Sequence, residues 1–304
     1  MILHHEMARE SKRPLAIAIG FFDGFHLGHR EIARTALRLR RPGWRSGVLS
    51  FARHPAVHLR PGTEPPMINT PEERLCLFAS AGFEECFFVD FDDRIATLEP
   101  GAFLELLVDR LSVGAIVVGG TFRFGHKRAG DAGLMRAFCA ERGVRFAPVE
   151  PVSEGGERVS STRIRALIAR GDLDSADRLL GGTGYELRGI VELGAGRGHR
   201  LGFPTANLRV PDKLIPPDGV YSATARYDGR DYAALVSVGD NPQFGSQSRT
   251  VEAWLRDFPY TVYGRELSLR DLRYVREQRL FPSVGELIAQ MERDVVAVGY
   301  PSYG

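Results

Sequence analysis

LAIAIGFFDGFHLGH, residues 15–29, decides the fold of the first part of the chain. A short apolar run ends in a loop with three glycines and two histidines, and the helical pattern REIARTALRLR begins directly afterwards. In a parallel sheet covered by helices on both faces, ligands bind where such strands end. The stretch therefore predicts a strand–loop–helix unit whose loop, Gly20 to His29, lies at a ligand site.

The same alternation of strand and helix continues along the first half of the chain. We predict an α/β doubly wound parallel sheet of the Rossmann-like kind, because near-continuous apolar strands alternate with helical patterns. The predicted strands are 15–20, 46–51, 86–91, 114–119 and 144–150, and the predicted helices lie near 29–40, 71–82, 101–111, 131–142, 162–170 and 172–180.

After Gly184 the pattern changes to alternating, β-branched and aromatic runs. Asp228-Gly229 lies between two of these runs and is typical of a hairpin turn. The last clear helical pattern is 283–299. We predict a small antiparallel β-barrel with a C-terminal helix. The predicted domains are residues 1–183 and 184–304.

Composition narrows the classes of function. A net charge of +2 does not favour a nucleic-acid-binding face, and no apolar run is long enough to span a membrane. We expect no secretory signal, because residues 1–14 lack an apolar core, and the three cysteines suit buried thiols in a reducing cytoplasm. None of the three lysines lies in a P-loop motif, which excludes that phosphate site. We expect a cytoplasmic protein that uses small molecules, not nucleic acid or membranes, as a monomer or weak homo-oligomer.

The loop histidines suit phosphate chemistry. Gly28 and His29 are predicted to begin the helix, whose N-terminus attracts anions. His26 and His29 can add hydrogen bonds to phosphate oxygens, while Asp23-Gly24 forms a tight turn. A polar surface loop and a zinc site are the alternatives, although a zinc site lacks a third nearby ligand.

VSSTRIR, residues 159–165, is a second polar motif in the same predicted domain. Ser160, Ser161 and Thr162 are typical of a helix N-cap. Arg163 and Arg165 then lie in the first turn, where positive charge opposes the helix dipole. An anionic ligand would explain both arginines, and two solvated arginines are the alternative.

GAGRGHRLGFPTANL, residues 194–208, carries the chemistry of the second domain. Its closely spaced glycines predict a loop that approaches a ligand. Thr205 and Asn207 lie on one side of a strand and offer oxygen ligands suited to Mg²⁺. Glu252, on a separate strand, could accept a proton from a hydroxyl group. Solvent-facing polar residues are the alternative for all three.

Four motifs of the first domain together resemble a known module. GFFDGFHLGH, SFARHP (50–55), VVGGTFRFGHKRAGD (117–131) and SSTRIRALIARGDLDSADRLLG (160–181) are similar to the FMN adenylyltransferase module of the bacterial bifunctional riboflavin kinase/FAD synthetase family. The resemblance implies that an FMN phosphate attacks the α-phosphate of ATP and releases pyrophosphate. It assigns ligand contacts to Gly20, Phe22, Asp23, Gly24, His26, Gly28, His29, Phe122, Phe124, Ser161, Thr162 and Arg165, with the two histidines and Arg165 as catalytic groups.

GRGHRLGFPTANL, PPDGVYSA (216–223), VEAWLRDF (251–258) and YGRELSL (263–269) resemble the riboflavin kinase module of that family. The resemblance implies transfer of the ATP γ-phosphate to the 5′-hydroxyl of riboflavin, with Glu252 as base and Thr205 and Asn207 at Mg²⁺. The implied nucleotide-binding residues are Gly196, Gly198, Arg200, Gly202 and Pro204. The ligands implied overall are ATP, Mg²⁺, riboflavin, FMN and FAD.

The sequence departs from the family pattern at three positions. Thr121 replaces the usual Asn or Asp, Arg53 replaces a proline, and Gln278 in VREQRLF replaces a Glu. The departures at Thr121 and Gln278 leave open the alternative that only one module is active. A separate alternative is a non-catalytic regulator that binds flavin or nucleotide.

Overall fold

The computed structural model describes residues 1–7, 11–182, 185–193, 205–239, 249–279 and 281–299. By the contacts among its residues, the chain divides into two compact units, Met1–Arg163 and Ile164–Gly304. Each unit is built from the type of element that its sequence pattern predicts.

The first unit contains a six-stranded sheet in which every neighbouring pair is parallel. Its spatial order is β1-β4-β3-β2-β5-β6. The strands are β1 (Ile2–His4), β2 (Leu15–Ile19), β3 (Arg45–Phe51), β4 (Glu85–Val89), β5 (Val113–Gly119) and β6 (Arg145–Val149). A separate two-stranded hairpin follows, β7 (Ser153–Glu154) and β8 (Glu157–Arg158).

Helices connect the strands of the sheet and then lead out of it. They are α1 (Leu27–Leu39), α2 (Ala56–Leu59), α3 (Pro71–Ala81), α4 (Asp93–Ala96), α5 (Pro100–Leu111), α6 (Ala132–Glu141), α7 (Ser161–Ala169) and α8 (Leu173–Leu180). The six longer ones confirm the predicted helices. Strand β1 was not predicted, because three residues are too few to show a period of two; its pairing with β4 creates it.

Strand β2 explains why the sheet is covered on both faces. Leu15, Ile17 and Ile19 belong to one hydrophobic cluster, whereas Ala18 belongs to another. Successive side chains of a strand point to opposite faces, so both faces of β2 are buried. The doubly wound arrangement predicted from the sequence is therefore confirmed.

The second unit contains a closed barrel with the order β10-β13-β12-β11-β14-β9. Its strands are β9 (Leu187–Glu192), β10 (Thr205–Arg209), β11 (Gly219–Tyr227), β12 (Arg230–Gly239), β13 (Thr250–Leu255) and β14 (Glu266–Arg276), all paired antiparallel. Asp228 and Gly229 have φ values of 48° and 76°, as the predicted hairpin turn requires. The C-terminal helix is α9 (Val284–Ala297).

Helix α9 covers part of the outer face of the barrel. Val295 packs with Leu235 of β12 and Trp254 of β13 in one cluster. Arg276, at the end of β14, forms a bidentate salt bridge with Asp294 of the helix, with a shortest distance of 2.7 Å. Apolar packing and a mostly buried ion pair thus fix α9 against β12, β13 and β14.

Candidate active sites

His26 caps helix α1 and packs against His29. The His26 Nδ1 accepts a hydrogen bond of 3.3 Å from the backbone N–H of His29, and the two rings stack with centroids 3.6 Å apart. The prediction that Gly28 and His29 begin the helix is wrong by one or two residues, because the imidazole of His26 serves as the N-cap acceptor and the helix begins at Leu27. The two histidines predicted to act together are therefore in contact.

Glycines allow this close packing. A Cβ at Gly28 would lie 3.2 Å from the His26 ring, and one at Gly20 would lie 2.9 Å from the Phe22 ring. Gly24 has a φ of 83°, which confirms the tight turn predicted for Asp23-Gly24. A side chain at position 28 would push the His26 imidazole away from its capping position.

Both histidines are neutral at physiological pH. Burial, with a smaller contribution from the positive charge of Arg158, lowers the pKa of His26 to about 4. Burial and the neighbouring His26 lower the pKa of His29 well below its usual value. Because Nδ1 of His26 accepts a hydrogen bond, its proton lies on Nε2. His26 is therefore a neutral hydrogen-bond donor through Nε2, not a fixed positive charge.

Asp23 joins three segments around this loop. Its carboxylate accepts hydrogen bonds of 3.0 Å from the backbone N–H groups of Ile68 and Asn69. Its backbone carbonyl accepts a 2.8 Å hydrogen bond from the hydroxyl of Ser161. The structure thus gives this predicted ligand residue a framework role, and it brings Ser161 to the histidine loop.

Arg74, which the sequence did not identify as a site residue, holds the loop that follows β2 through hydrogen bonds. It is fully buried, and its guanidinium donates to the carbonyls of Phe21 and Phe51, at 2.9 Å each, and of Ala52, at 2.7 Å. Phe21 follows β2, and the other two carbonyls lie at the end of β3 and just beyond it. Arg74 therefore ties together the loops at the carboxyl ends of two adjacent strands. Its sequence context, PEERL, reads as an ordinary charged helix start and gives no sign of this role.

The aromatic residues assigned to ligand binding are largely core residues. Phe22 is 2% exposed and packs edge-on against His29, with centroids 5.2 Å apart. Phe124 is buried against Phe103. Phe122 is half-buried and stacks on Phe124. Of the three, Phe122 is the one with substantial exposed surface, and its contact with flavin stays a prediction.

Thr121, a departure from the family pattern, has a defined partner. Its hydroxyl accepts a 3.1 Å hydrogen bond from Arg158, an exposed residue of β8. Arg158 also lies close enough to His26 for its charge to lower the pKa of that histidine. Arg158 is therefore a further candidate site residue. The signal for it in the sequence is its position, two residues before the SSTRIR motif that begins at Ser160.

Ser160 caps helix α7 as predicted, through a 3.2 Å hydrogen bond from the backbone N–H of Arg163. Arg163 has an ion-pair partner in the same chain, Glu157 at 3.2 Å, which accounts for its charge without a ligand. Arg165 is half-buried and Thr162 is exposed on α7. Their contacts with pyrophosphate stay predictions.

In the barrel, strand register assembles the second predicted site. Asn207 of β10 lies directly opposite Glu252 of β13, and Glu252 lies opposite Ser237 of β12. Thr205 lies opposite Trp254 on the same strands. Directly paired residues point to the same side of a sheet, with Cβ atoms about 5 Å apart. Thr205, Asn207 and Glu252 therefore share the outer face of the barrel, as the alternation along each strand predicts.

Gln278, which departs from the family pattern in this module, reaches the same face. Its amide nitrogen donates a 2.8 Å hydrogen bond to the hydroxyl of Ser237. A Cβ at Gly239 would lie 2.2 Å from the Gln278 amide oxygen, so the glycine leaves room for that side chain. Gln278 therefore lies beside the row formed by Asn207, Glu252 and Ser237.

The predicted glycine loop of this module lies outside the described residues. That applies to Gly194, Gly196, Gly198, Arg200, Gly202 and Pro204. The described part of this site is therefore the outer barrel face that carries Thr205, Asn207 and Glu252.

The donors on this face suit a magnesium ion that is also bound by phosphates. Within the described ranges, no group of three or more His, Cys, Asp or Glu residues could hold a metal ion. That result disfavours a zinc site at His26 and His29. Magnesium needs few protein ligands when substrate phosphates and waters complete its shell, so one hydroxyl and one amide oxygen, from Thr205 and Asn207, fit that mode.

Comparison with known families identifies one matching region in each part of the chain. Residues 8–163 match the family model of FAD synthetase, and residues 181–299 match that of riboflavin kinase. The bifunctional riboflavin kinase/FMN adenylyltransferase of Listeria monocytogenes is 33% identical over 298 residues, which cover 96% of this chain and 94% of the relative. This chain belongs to that family. The member from Bacillus subtilis is 31% identical, with 95% and 93% covered.

Among solved structures, one described as a macrolide-efflux protein from Streptococcus pneumoniae is similar along its length. It is 28% identical, has a TM-score of 0.87 and covers 99% of both chains. Its description differs from that of the riboflavin kinase/FMN adenylyltransferase family, and membership rests on the family models and the two bacterial relatives. Among the residues that the structure describes, no helix is both long and apolar enough to cross a membrane.

Proposed function

We propose that this protein makes both flavin coenzymes: it phosphorylates riboflavin to FMN and then adenylylates FMN to FAD. The observation that carries the proposal is that each unit assembles its own candidate site. His26 and His29 stack at the carboxyl end of β2, and Asn207 faces Glu252 in the barrel. Each site falls within the matching family region, 8–163 or 181–299.

In the adenylylation reaction, an oxygen of the FMN phosphate attacks the α-phosphorus of ATP. The bond between the α-phosphorus and its bridging oxygen breaks, and pyrophosphate leaves. His26 and His29, being neutral, donate hydrogen bonds to the phosphate oxygens. Arg158 supplies positive charge near His26, and Ser161, Thr162 and Arg165 stabilise the leaving pyrophosphate. No covalent intermediate is needed, so the residues act by positioning and by stabilising charge.

In the kinase reaction, the 5′-hydroxyl oxygen of riboflavin attacks the γ-phosphorus of ATP, and ADP leaves. Glu252 accepts the hydroxyl proton. Thr205 and Asn207 would hold Mg²⁺, which neutralises charge on the transferred phosphate when it is bound. Support comes from the strand register, which puts a carboxylate directly beside the proposed amide ligand.

Two of the three departures from the family pattern, Thr121 and Gln278, do not favour a single active module. Thr121 still offers a hydroxyl, which already binds Arg158, and Gln278 still reaches the kinase face through Ser237. We also propose that the functional boundary follows residue 183, and that the protein works in the cytoplasm as a monomer or weak homo-oligomer, without nucleic acid or a membrane.

A coupled assay tests the function. The protein is mixed with ATP and Mg²⁺ and with either riboflavin or FMN, and the flavin products are separated by chromatography. We expect FMN and FAD from riboflavin, and FAD from FMN. Formation of neither product, or flavin binding without ATP consumption, would reject the proposal in favour of a binding protein.

A further inference from the structure

The short hairpin of β7 and β8 cannot hold its position alone. Each strand has two residues, and Gly155 and Gly156 form the turn between them. An isolated two-stranded ribbon is marginally stable in water even when it is longer. The contacts that fix this hairpin must therefore come from elsewhere in the unit.

Arg163 supplies several of these contacts from the first turn of α7. Its guanidinium donates to the backbone carbonyls of Glu154, at 3.0 Å, and Glu157, at 3.1 Å. Its Nε also lies 3.2 Å from the Glu157 carboxylate. One planar guanidinium thus contacts both strands of the hairpin: Nη1 donates to the two carbonyls and Nε reaches the carboxylate, and the single nitrogen of a lysine cannot occupy both positions.

The hairpin presents Arg158 toward the histidine loop. Arg158 follows Glu157 directly and donates a 3.1 Å hydrogen bond to the hydroxyl of Thr121, two residues after the end of β5. Its charge acts on His26. A cation at this place would attract the triphosphate of a nucleotide held by the two histidines.

We propose that Arg163 is a positioning residue of the adenylyl-transfer site, which holds the 153–158 hairpin so that Arg158 stays hydrogen-bonded to Thr121, just after β5, the strand that pairs with β2. The proposal rests on the function proposed above for that site. It also explains a basic residue at a helix start, since Glu157 and two carbonyls compensate the Arg163 charge.

The variant Arg163→Lys tests this role, because it keeps the positive charge and loses the planar guanidinium with its separate nitrogen donors. Hydrogen exchange measured by mass spectrometry should be faster across residues 153–159, where the Val159 N–H is protected by a 2.8 Å bond to the Val152 carbonyl. We expect kcat/KM for ATP in FAD formation to fall about tenfold, since misplaced binding groups weaken transition-state stabilisation. The kinase reaction of the same chain should be unchanged, which shows that the variant is folded.

A double variant tests whether Arg163 acts through Arg158. Arg158→Leu should lower kcat/KM for ATP without faster exchange in the hairpin. Adding Arg163→Lys to Arg158→Leu should then cost less than about twofold more, because coupled residues are not additive. The matched control is Arg142→Lys, which alters an exposed arginine paired with Asp109 and should change neither readout.

Three results would overturn the inference. They are unchanged hairpin exchange in Arg163→Lys, faster exchange with normal FAD formation, and fully additive losses in the double variant. A wild-type protein that forms no FAD would instead reject the proposed function, and the exchange measurement would still report whether Arg163 holds the hairpin.

Discussion

The two candidate sites are built in different ways. In the α/β unit, the N-cap and first turn of α1 carry the histidines, and buried side chains such as Asp23 and Arg74 hold the neighbouring loops by their backbone groups. In the barrel, the backbone ladder itself puts Asn207 opposite Glu252. The first site therefore depends on a few buried polar residues far apart in sequence, and the second depends on strand register, which many hydrogen bonds share.

The kinase site should show the largest single effect. Replacing Glu252 by Ala removes the proposed base without disturbing the ladder, so FMN formation should fall by about 10³-fold, within the range of general-base catalysis. FAD formation from FMN should continue at the wild-type rate. Both rates are measured on the same preparation, and loss of both in a folded protein would contradict two separate sites.

Arg74→Met should be the most damaging change in the framework of the α/β site. It leaves three buried carbonyls without their donor, so the α/β unit should lose about 4 kcal/mol of unfolding free energy, within the range for breaking a buried charged network. Urea unfolding followed by circular dichroism measures the loss. The matched surface change Arg142→Met should cost less than about 1 kcal/mol, and an equal cost for both would show that the Arg74 contacts contribute little.

Acid should weaken the histidine loop. The pKa of His26 is lowered in the folded state to about 4, so between its usual value and 4 the unfolded chain binds more protons than the folded one. Stability is therefore lost as pH falls through this window, by about 3 kcal/mol at pH 4 for this group alone. The difference in unfolding free energy between pH 7 and pH 4 should shrink in His26→Gln, and identical pH curves for both proteins would contradict the assignment.

Gln278→Leu should have the smallest effect. The side chain is exposed and makes one described hydrogen bond, to Ser237, so FMN formation should fall by only about threefold. Steady-state kinetics with riboflavin measure the change, with FAD formation from FMN as the unaffected reference. A loss as large as that of Glu252→Ala would instead make Gln278 a direct participant in the chemistry.

The same contrast explains what the sequence could predict. Near-continuous apolar runs between helical patterns identified the sheet, and period-two patterns identified the barrel and the residues on its strand faces, because burial imposes those patterns on consecutive residues. Arg74 and Arg158 were missed because their partners lie far away in sequence, at Phe21, Phe51 and Thr121. A lone charged residue in a helix or hairpin looks the same whether it binds solvent or a distant carbonyl.

Intramolecular contacts of motif residues were missed for the same reason. Phe22 and Phe124 fit a ligand pocket by motif, but tertiary packing uses them in the core. Arg163 suggested an external anion, and the chain itself provides one in Glu157. Cys86 and Cys139 are buried as expected, whereas Cys76 is exposed on a helix whose short sequence does not reveal which side faces inward.

Helix α7 has a consequence for cutting the protein into parts. It runs from Ser161 to Ala169, while the division between the compact units falls after Arg163. A fragment that ends at Arg163 would keep the capping serine but only three helical residues, too few to sustain a helix. Without the rest of the helix, neither Ser161 nor Arg163 would be held in position, so a separated adenylyltransferase would have to include the whole of α7.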